Sequence, residues 1–249
     1  MTIALMTDIH ANREAFEACL AHAAERGADQ YAFLGDFVGY GADPVWVVET
    51  VADYVTRGAI ALMGNHDAAA VGTLHGRLNP NARACIEWTR QRLDAVHLDF
   101  LARLPLTAED GPCLFVHANG WDPENFEYVF GASEAGRSMR VARARITFCG
   151  HMHEPKLYHM GLTQRVETFE PFPGSPIPLS ATRRWLALPG SVGQPRDGNP
   201  AACYALFDEL TQLLTFWRVP YDHAKAARKI RDAGLPERMA AVLLSGGGW

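Results

Sequence analysis

Ile3–Thr7, Tyr31–Leu34 and Ala59–Met63 are continuous apolar runs of strand length, the pattern of strands buried on both faces. The stretches between them have helical spacing instead. Asn12–Arg26 carries Ala15, Phe16, Cys19, Leu20 and Ala23 on one stripe and stops at Gly27. Pro44–Arg57 repeats the pattern with Val47, Val48, Val51, Tyr54 and Val55, and Pro44 suits a first helical turn. The β-α-β-α-β order predicts parallel pairing with right-handed crossovers.

A helical insert comes next. Asn79 is placed to cap a helix that opens at Pro80 and runs to about Arg92, with a shorter helix over Leu98–Ala102. Glu109-Asp110-Gly111 reads as a turn before a strand at Cys113–Val116; Glu134–Val141 is helical and Arg145–Cys149 is a strand. The texture then changes. Lys156–Met160, Arg165–Phe169, Trp185–Leu188, Ala202–Phe207 and Leu213–Arg218 read as strands joined by turns too short for helices, and Pro171–Ala181 as an irregular surface loop. Residues 222–244 form two closing helices and 245–249 a flexible tail. With no repeat and no break in composition, the chain is expected to be one α/β domain over 1–249, two sheets packed face to face and covered by helices.

The residues directly after each apolar run are more telling than the run itself. Asp8 and His10 come after the first, Gly35-Asp36 after the second, and Gly64-Asn65-His66-Asp67 after the third. His117 ends the fourth, and Gly150-His151-Met152-His153 ends the fifth. Ligand crevices of α/β sheets lie at the carboxyl ends of strands, where residues distant in sequence converge. Carboxylate, amide oxygen and neutral imidazole together suit Mn²⁺, Fe, Co, Ni or Zn²⁺. Seven such groups are too many for one tetrahedral ion but suit two ions sharing a carboxylate. The glycines before Asp36, Asn65 and His151 are read as allowing sharp turns there.

Composition narrows the partners. With 23 basic and 28 acidic residues the net charge is −5, which argues against a surface that coats nucleic acid and is compatible with a small anion neutralised by metal. Five scattered cysteines without a C-x-x-C motif read as free, buried thiols of a reducing compartment. No run is long and apolar enough to span a membrane and no signal segment is visible, so a soluble cytoplasmic protein is expected.

In their order, D-x-H, G-D, G-N-H-D, a strand-terminal His and G-H-x-H resemble the calcineurin-like metallophosphoesterase superfamily. Asp8-Ile-His-Ala-Asn12, Gly35-Asp-Phe-Val-Gly-Tyr-Gly41 and Pro189-Gly-Ser-Val-Gly-Gln-Pro-Arg196 are similar to its small bacterial and archaeal phosphodiesterases. The resemblance implies a four-layer α/β/β/α sandwich of mixed sheets and two divalent ions, with Mn favoured and Fe, Zn, Ni, Co or Mg as alternatives. Asp8, His10, Asp36 and His153 would hold the first ion; Asp36 would bridge; Asn65, His117 and His151 would complete the second. It further implies hydrolysis of a small phosphorylated substrate, a phosphodiester above all, by a hydroxide between the metals. His66 would be the catalytic proton donor or phosphate stabiliser, and Asp67 a supporting residue that caps the loop or orients His66. Hydrolysis of a dinucleoside polyphosphate or of a phosphoprotein are the alternatives. A scaffold without activity is disfavoured because every ligand position is filled.

On the substrate side, Asn12 and Arg13 at the start of the first helix, Tyr40, His75, Gln194 and Arg196 are candidates for contact. Asn12 reads equally as a helix cap and Arg13 as a solvated charge. Trp121, Phe126 and Tyr128 could wall the site, although packing within their own loop is the preferred reading. His22, His97, His159 and His223 read as structural.

Overall fold

The computed structural model describes residues 1–76 and 78–247. Two six-stranded mixed sheets form its centre. In the first, the order β3-β2-β1-β11-β12-β9 joins β1 (Thr2–Met6), β2 (Gln30–Phe33) and β3 (Ile60–Ala61) in parallel. β11 (Ala202–Asp208), β12 (Leu213–Val219) and β9 (Pro176–Pro178) then extend it antiparallel from β1. The second has the order β4-β5-β6-β10-β7-β8, built from β4 (Thr107–Asp110), β5 (Cys113–Val116), β6 (Ile146–Cys149), β7 (Pro155–Met160), β8 (Val166–Phe169) and β10 (Arg184–Pro189). Of these, β5, β6 and β10 run parallel.

The continuous apolar runs now have a cause. Along β1, Ile3 and Leu5 point between the sheets, while Ala4 and Met6 face the helices, so both sides of the period-2 strand must be apolar. Between the sheets Phe148 touches Phe115 and Phe207 at ring distances of 5.6 and 5.4 Å. Fully burying each ring is worth roughly 1.5–3 kcal/mol. Outside the first sheet pack α1 (Arg13–Glu25) and α2 (Pro44–Thr56), through Phe16, Val47 and Val51. Outside the second lies α6 (Ala132–Val141), with Met139 buried against Tyr158 and Leu186. The layers are therefore helix, sheet, sheet, helix, as expected.

Further helices remain: α3 (Asn65–Val71), α4 (Pro80–Arg90), α5 (Ala95–Ala102) and the hairpin of α7 (His223–Asp232) and α8 (Glu237–Ser245). Ile230, Met239 and Leu243 of the hairpin share a small core with Tyr40, Ala82 and Cys85. Lys229 also reaches the carboxylates of Glu14 at 2.7 Å and Asp43 at 2.8 Å, tying α7 to α1 and to the cap of α2. All five cysteines are free and buried. Among the described residues no helix is long and apolar enough to cross a membrane.

The structure differs from the sequence reading at its margins. β4 occupies the stretch read as a turn; its Thr-Ala-Glu-Asp residues are largely exposed on a sheet edge, so they carry no apolar pattern. β9 lies within the loop read as irregular, its prolines tolerated because an edge strand bonds on one side only. α3 begins directly at Asn65, inside the motif read as a turn. Of the tail expected to be flexible, Gly246 accepts a bond from the Gly198 N–H at 2.7 Å and Gly247 bridges to Asp197; 248 and 249 lie outside the described residues.

Candidate metal centre

The carboxyl ends of β1, β2, β5 and β6 meet where the two sheets meet. The backbone sews the loops together there: the His10 N–H donates to Asp36 O at 2.8 Å, Gly150 N–H to His117 O at 2.7 Å, and Gly193 N–H to Asp8 O at 2.9 Å. Of ten described non-glycine residues with positive φ, seven are Asp8, His10, Ala11, Asp36, Tyr40, His151 and His153. Such backbone is costly for an ordinary side chain and gathers at functional sites. The three glycines do not all act as turns. Gly35 does turn through positive φ. Gly64 and Gly150 are instead required by close approach, because a Cβ would overlap Asp36 Oδ1 in the one case and Thr7 Oγ1 in the other.

Asp8, His10, Asp36 and His153 form one cluster of donor atoms, and Asp36, His117 and His151 form another. Asp36 Oδ2 stands between them, 3.6 Å from His10 Nε2 and 3.5 Å from His117 Nε2. Asn65 Oδ1 joins the second at 3.2 Å from His117 Nε2. All seven residues read from the strand ends are thus brought together.

Hydrogen bonding shows which atoms are bare. His10 Nδ1 donates to Val38 O at 3.1 Å, His117 Nδ1 to Leu34 O at 2.7 Å, and His153 Nδ1 to Gln194 O at 2.7 Å. Each neutral ring then carries a lone pair on Nε2. Yet His10 Nε2 faces His153 Nε2 at 3.2 Å, and His153 Nε2 faces Asp8 Oδ1 at 3.2 Å. Asp8 Oδ1 has no hydrogen-bond partner, whereas Asp8 Oδ2 accepts from Thr7 Oγ1 and the His151 N–H. Buried lone pairs that face one another without protons repel, and a cation removes that repulsion. The donor set fits divalent metal.

The titration directions agree. Burial, with the charges of neighbouring histidines, pushes His10 well below the usual imidazole range. His151 is likewise driven down by burial and His117, and His153 by burial and Arg196. Asp36 is raised by burial and the Asp8 charge. Burial also opposes the Asp8 charge, but His153 holds Asp8 below its usual range. Two buried carboxylates resist ionising together unless positive charge is supplied between them.

The remaining candidates divide. His66 lies beside both the cluster and a cavity, 4.8 Å ring to ring from His10 and 4.4 Å from Tyr40. Its Nδ1 is buried without a partner, and burial together with His153 and Arg196 lowers its pKa to about 3. Asp67 is engaged by the backbone. Fully buried, it accepts from the N–H groups of Asp36, Phe37, Val38 and Gly64, which clamps the Asp36 loop onto the start of α3. Burial and Asp36 raise its pKa to about 7.

Asn12 is likewise committed to the fold: it caps α1 through Ala15 N–H and donates to Gly193 O and the Tyr221 hydroxyl. Arg13 turns away, paired with Glu17 and lying over Trp46. Tyr40 and His75 do line the cavity above His66. Gln194 positions His153 through its carbonyl and holds the Arg196 guanidinium on its Oε1. Phe126 packs against His117, and Trp121 packs in the core around α6.

Tyr128 lies stacked on His151 at 3.9 Å and lines the same cavity. Sequence alone favoured packing for it, since a loop aromatic carries no mark of its partner. Thr7 and Ser191 also escaped notice. Thr7 bonds Asp8 Oδ2, and the Ser191 hydroxyl bonds Asp8 O while accepting from the Gln194 N–H. Position beside Asp8 was the one available signal for Thr7.

Comparison with known proteins gives concordant matches. A family model described as the calcineurin-like phosphoesterase superfamily domain matches residues 1–212. An uncharacterized protein of Methanocaldococcus jannaschii is 34% identical, covering 98% of each chain. The crystal structure of a metallophosphoesterase from Sphaerobacter thermophilus is 37% identical with a TM-score of 0.87, covering 99% of each chain. That of a hypothetical protein from Pyrococcus horikoshii, 21% identical, shares the fold with a TM-score of 0.80 over 100% of this chain and 99% of its own.

Proposed function

The chain belongs to the calcineurin-like phosphoesterase superfamily and is a phosphoester hydrolase, and from that premise we propose that it cleaves phosphodiesters with two divalent cations held by the clustered donors. Asp8, His10, Asp36 and His153 would hold one cation, and Asp36, Asn65, His117 and His151 the other. The observation that carries this reading is Asp36 Oδ2 standing between bare nitrogens on both sides. Mixed oxygen and imidazole donors support Mn²⁺, with Fe, Co, Ni and Zn²⁺ as competitors. Bound there, the cations would supply Lewis acidity toward the phosphoryl oxygens and acidify water for the attack.

The protein's own groups do the rest. Val38, Leu34 and Gln194 carbonyls fix the imidazole tautomers, so three Nε2 lone pairs are aimed before any ligand arrives. His66 is neutral in the free protein, held so by burial. It therefore offers one N–H to a phosphoryl oxygen, and becomes a proton donor to the leaving oxygen only when the substrate's negative charge raises its basicity. Arg196 adds fixed positive charge beside the cavity, interacting with both Tyr40 and Tyr128. Tyr40 and Asn79 border cavities on both sides of them, which supports an ester with a substituent on each side of phosphorus. The five buried, unpaired thiols support a reducing, cytoplasmic setting.

The test is turnover of bis-p-nitrophenyl phosphate and p-nitrophenyl phosphate by metal-stripped protein as Mn²⁺ is restored to two equivalents. Activity on the diester that appears with the second equivalent is expected. Two bound equivalents without turnover of either ester would overturn the assignment.

A further inference from the structure

The cavity over His66 has a neighbour. It measures about 240 Å³ and is lined by His66, Asn65, Tyr128 and His151; the second, about 260 Å³, lies beyond Tyr40 and Asn79, which border both. Either alone is smaller than the roughly 300–1,000 Å³ usual for a small-molecule site, whereas the two joined fall inside that range. A substrate larger than a bare phosphoryl group would therefore occupy both lobes.

The second lobe has a distinct chemistry. Arg196 enters it from the loop after β10 and Arg238 from α8, and no Asp or Glu is among its lining residues. Asn79, Pro80 and Asn81, the cap and first turn of the eleven-residue α4, form a further part of the wall. Pro80 has no N–H and the Ala82 N–H is taken by Asn79 Oδ1, so this helix start contributes at most the Asn81 N–H. Among the described residues Arg238 makes no hydrogen bond or ion pair, although its helix neighbour Glu237 pairs with Arg231. Met239 and Val242, one on each side of the next turn of α8, give the lobe an apolar wall. Two guanidiniums around one cavity, with no carboxylate among the described lining residues, form an anion site, and the planar guanidinium fork matches phosphate oxygens.

We propose that the second lobe binds a second phosphate of the substrate, with Arg238 as the specificity-determining residue, so that the preferred esters are phosphodiesters carrying a further phosphate at their far end. This rests on the reading of the neighbouring lobe as the place of hydrolysis. Arg196, which contacts Tyr40 and Tyr128 of the first lobe, stands at the junction and would be shared by both phosphates. The residue that separates the lobes functionally is Arg238. It lies beyond the segment matched by the superfamily model, which ends at 212.

The experiment is calorimetric binding to the Mn²⁺-loaded protein of two ligands differing by one phosphate, thymidine 3′,5′-bisphosphate and thymidine 5′-monophosphate. The wild type is expected to prefer the bisphosphate by about tenfold or more, the scale of one lost charge-assisted contact. Arg238→Glu should bring the two affinities within about twofold. Arg228→Glu, an equal charge change on α7 at a residue exposed like Arg238 but not lining the lobe, should keep the wild-type ratio and so exclude a diffuse charge effect.

An unchanged ratio in Arg238→Glu, an equal loss in Arg228→Glu, or no preference in the wild type would overturn the proposal. Kinetics with the p-nitrophenyl esters of the same nucleotides separates it from the reading beneath it. Turnover of both esters at equal kcat/KM leaves hydrolysis standing and removes the second-phosphate site. Binding discrimination abolished by Arg238→Glu, in a protein that hydrolyses neither ester nor bis-p-nitrophenyl phosphate, leaves the anion site standing and removes the reaction.

Discussion

Asp8, His10 and His153 meet Asp36 with each side chain no more than 3% exposed, whereas Asn65, which faces His117 and His151 across the same carboxylate, is only half-buried. Two carboxylates serve the first cluster. The second has the shared one and a neutral amide. Backbone strain is unequal too: all four residues of the first cluster have positive φ, while of His117, His151 and Asn65 only His151 does. A dication is attracted more strongly by two carboxylates than by one, and burial reduces screening of that attraction. The first cluster is therefore expected to retain its cation and the second to exchange it. The pair teaches that two donor clusters sharing one carboxylate can differ in charge, burial and backbone strain together.

Removing the bridge should break the comparison most completely. Asp36→Asn is expected to empty both clusters and cut diester turnover by roughly 10⁴-fold or more, since it removes several kcal/mol of charge stabilisation; metal content measured beside turnover checks it, and one retained equivalent would refute the shared role. His66→Ala comes next. Both cations should remain while turnover falls by about 10²- to 10⁴-fold, the range of general acid catalysis, and full activity in that variant would remove His66 from the mechanism.

Asn65→Ala should sharpen the difference instead. The weaker equivalent is expected to lose about 10- to 100-fold in affinity, the scale of a lost supporting contact, with the tighter one unmoved in a calorimetric titration. The smallest effect is that of mild acid. His10 and His151 are held well below the usual imidazole range and His153 is lowered, so mild acid leaves less proton on them for a metal to displace than on ordinary imidazoles. Asp36 is raised, so it takes up its proton at a higher pH than an ordinary carboxylate. Cation binding should therefore weaken as pH falls, sooner than at an ordinary carboxylate. As Asp36 takes up its proton the second cluster should release its cation first and the first cluster after it, and loss in the reverse order would contradict the inequality.

The donor cluster was legible because each donor directly follows a buried strand, so local pattern and three-dimensional position coincide. Asp8, Asp36, His117 and His151 needed no tertiary information beyond the rule that strand ends converge. Asn12 and Asp67 were left between two readings for the opposite reason. Both are polar residues beside the ligands, and only the fold reveals that Gly193 O and Tyr221 claim Asn12, and that four backbone N–H groups claim Asp67. β4 and β9 were hidden because edge strands need no apolar alternation. Arg238 was invisible for a further reason. On an amphipathic helix a charged residue is the ordinary solvent-facing choice, and nothing in its neighbours announces the cavity that α4 completes.

Lys229 gripping Glu14 and Asp43 has a consequence for how such a protein can diversify. The hairpin that carries Arg238 is attached to the sandwich by an ionic clasp of Lys225 and Lys229, a small apolar seam and the backbone contacts of Gly246 and Gly247, and it follows the last strand of the sheets. The donors that would do the chemistry are all encoded before it. Drift in the final hairpin can therefore retune which ester is accepted while leaving the reacting centre untouched, much as a key's teeth are recut without forging a new lock. Inheritance of the clasp would let successive hairpins be tried on an unchanged engine.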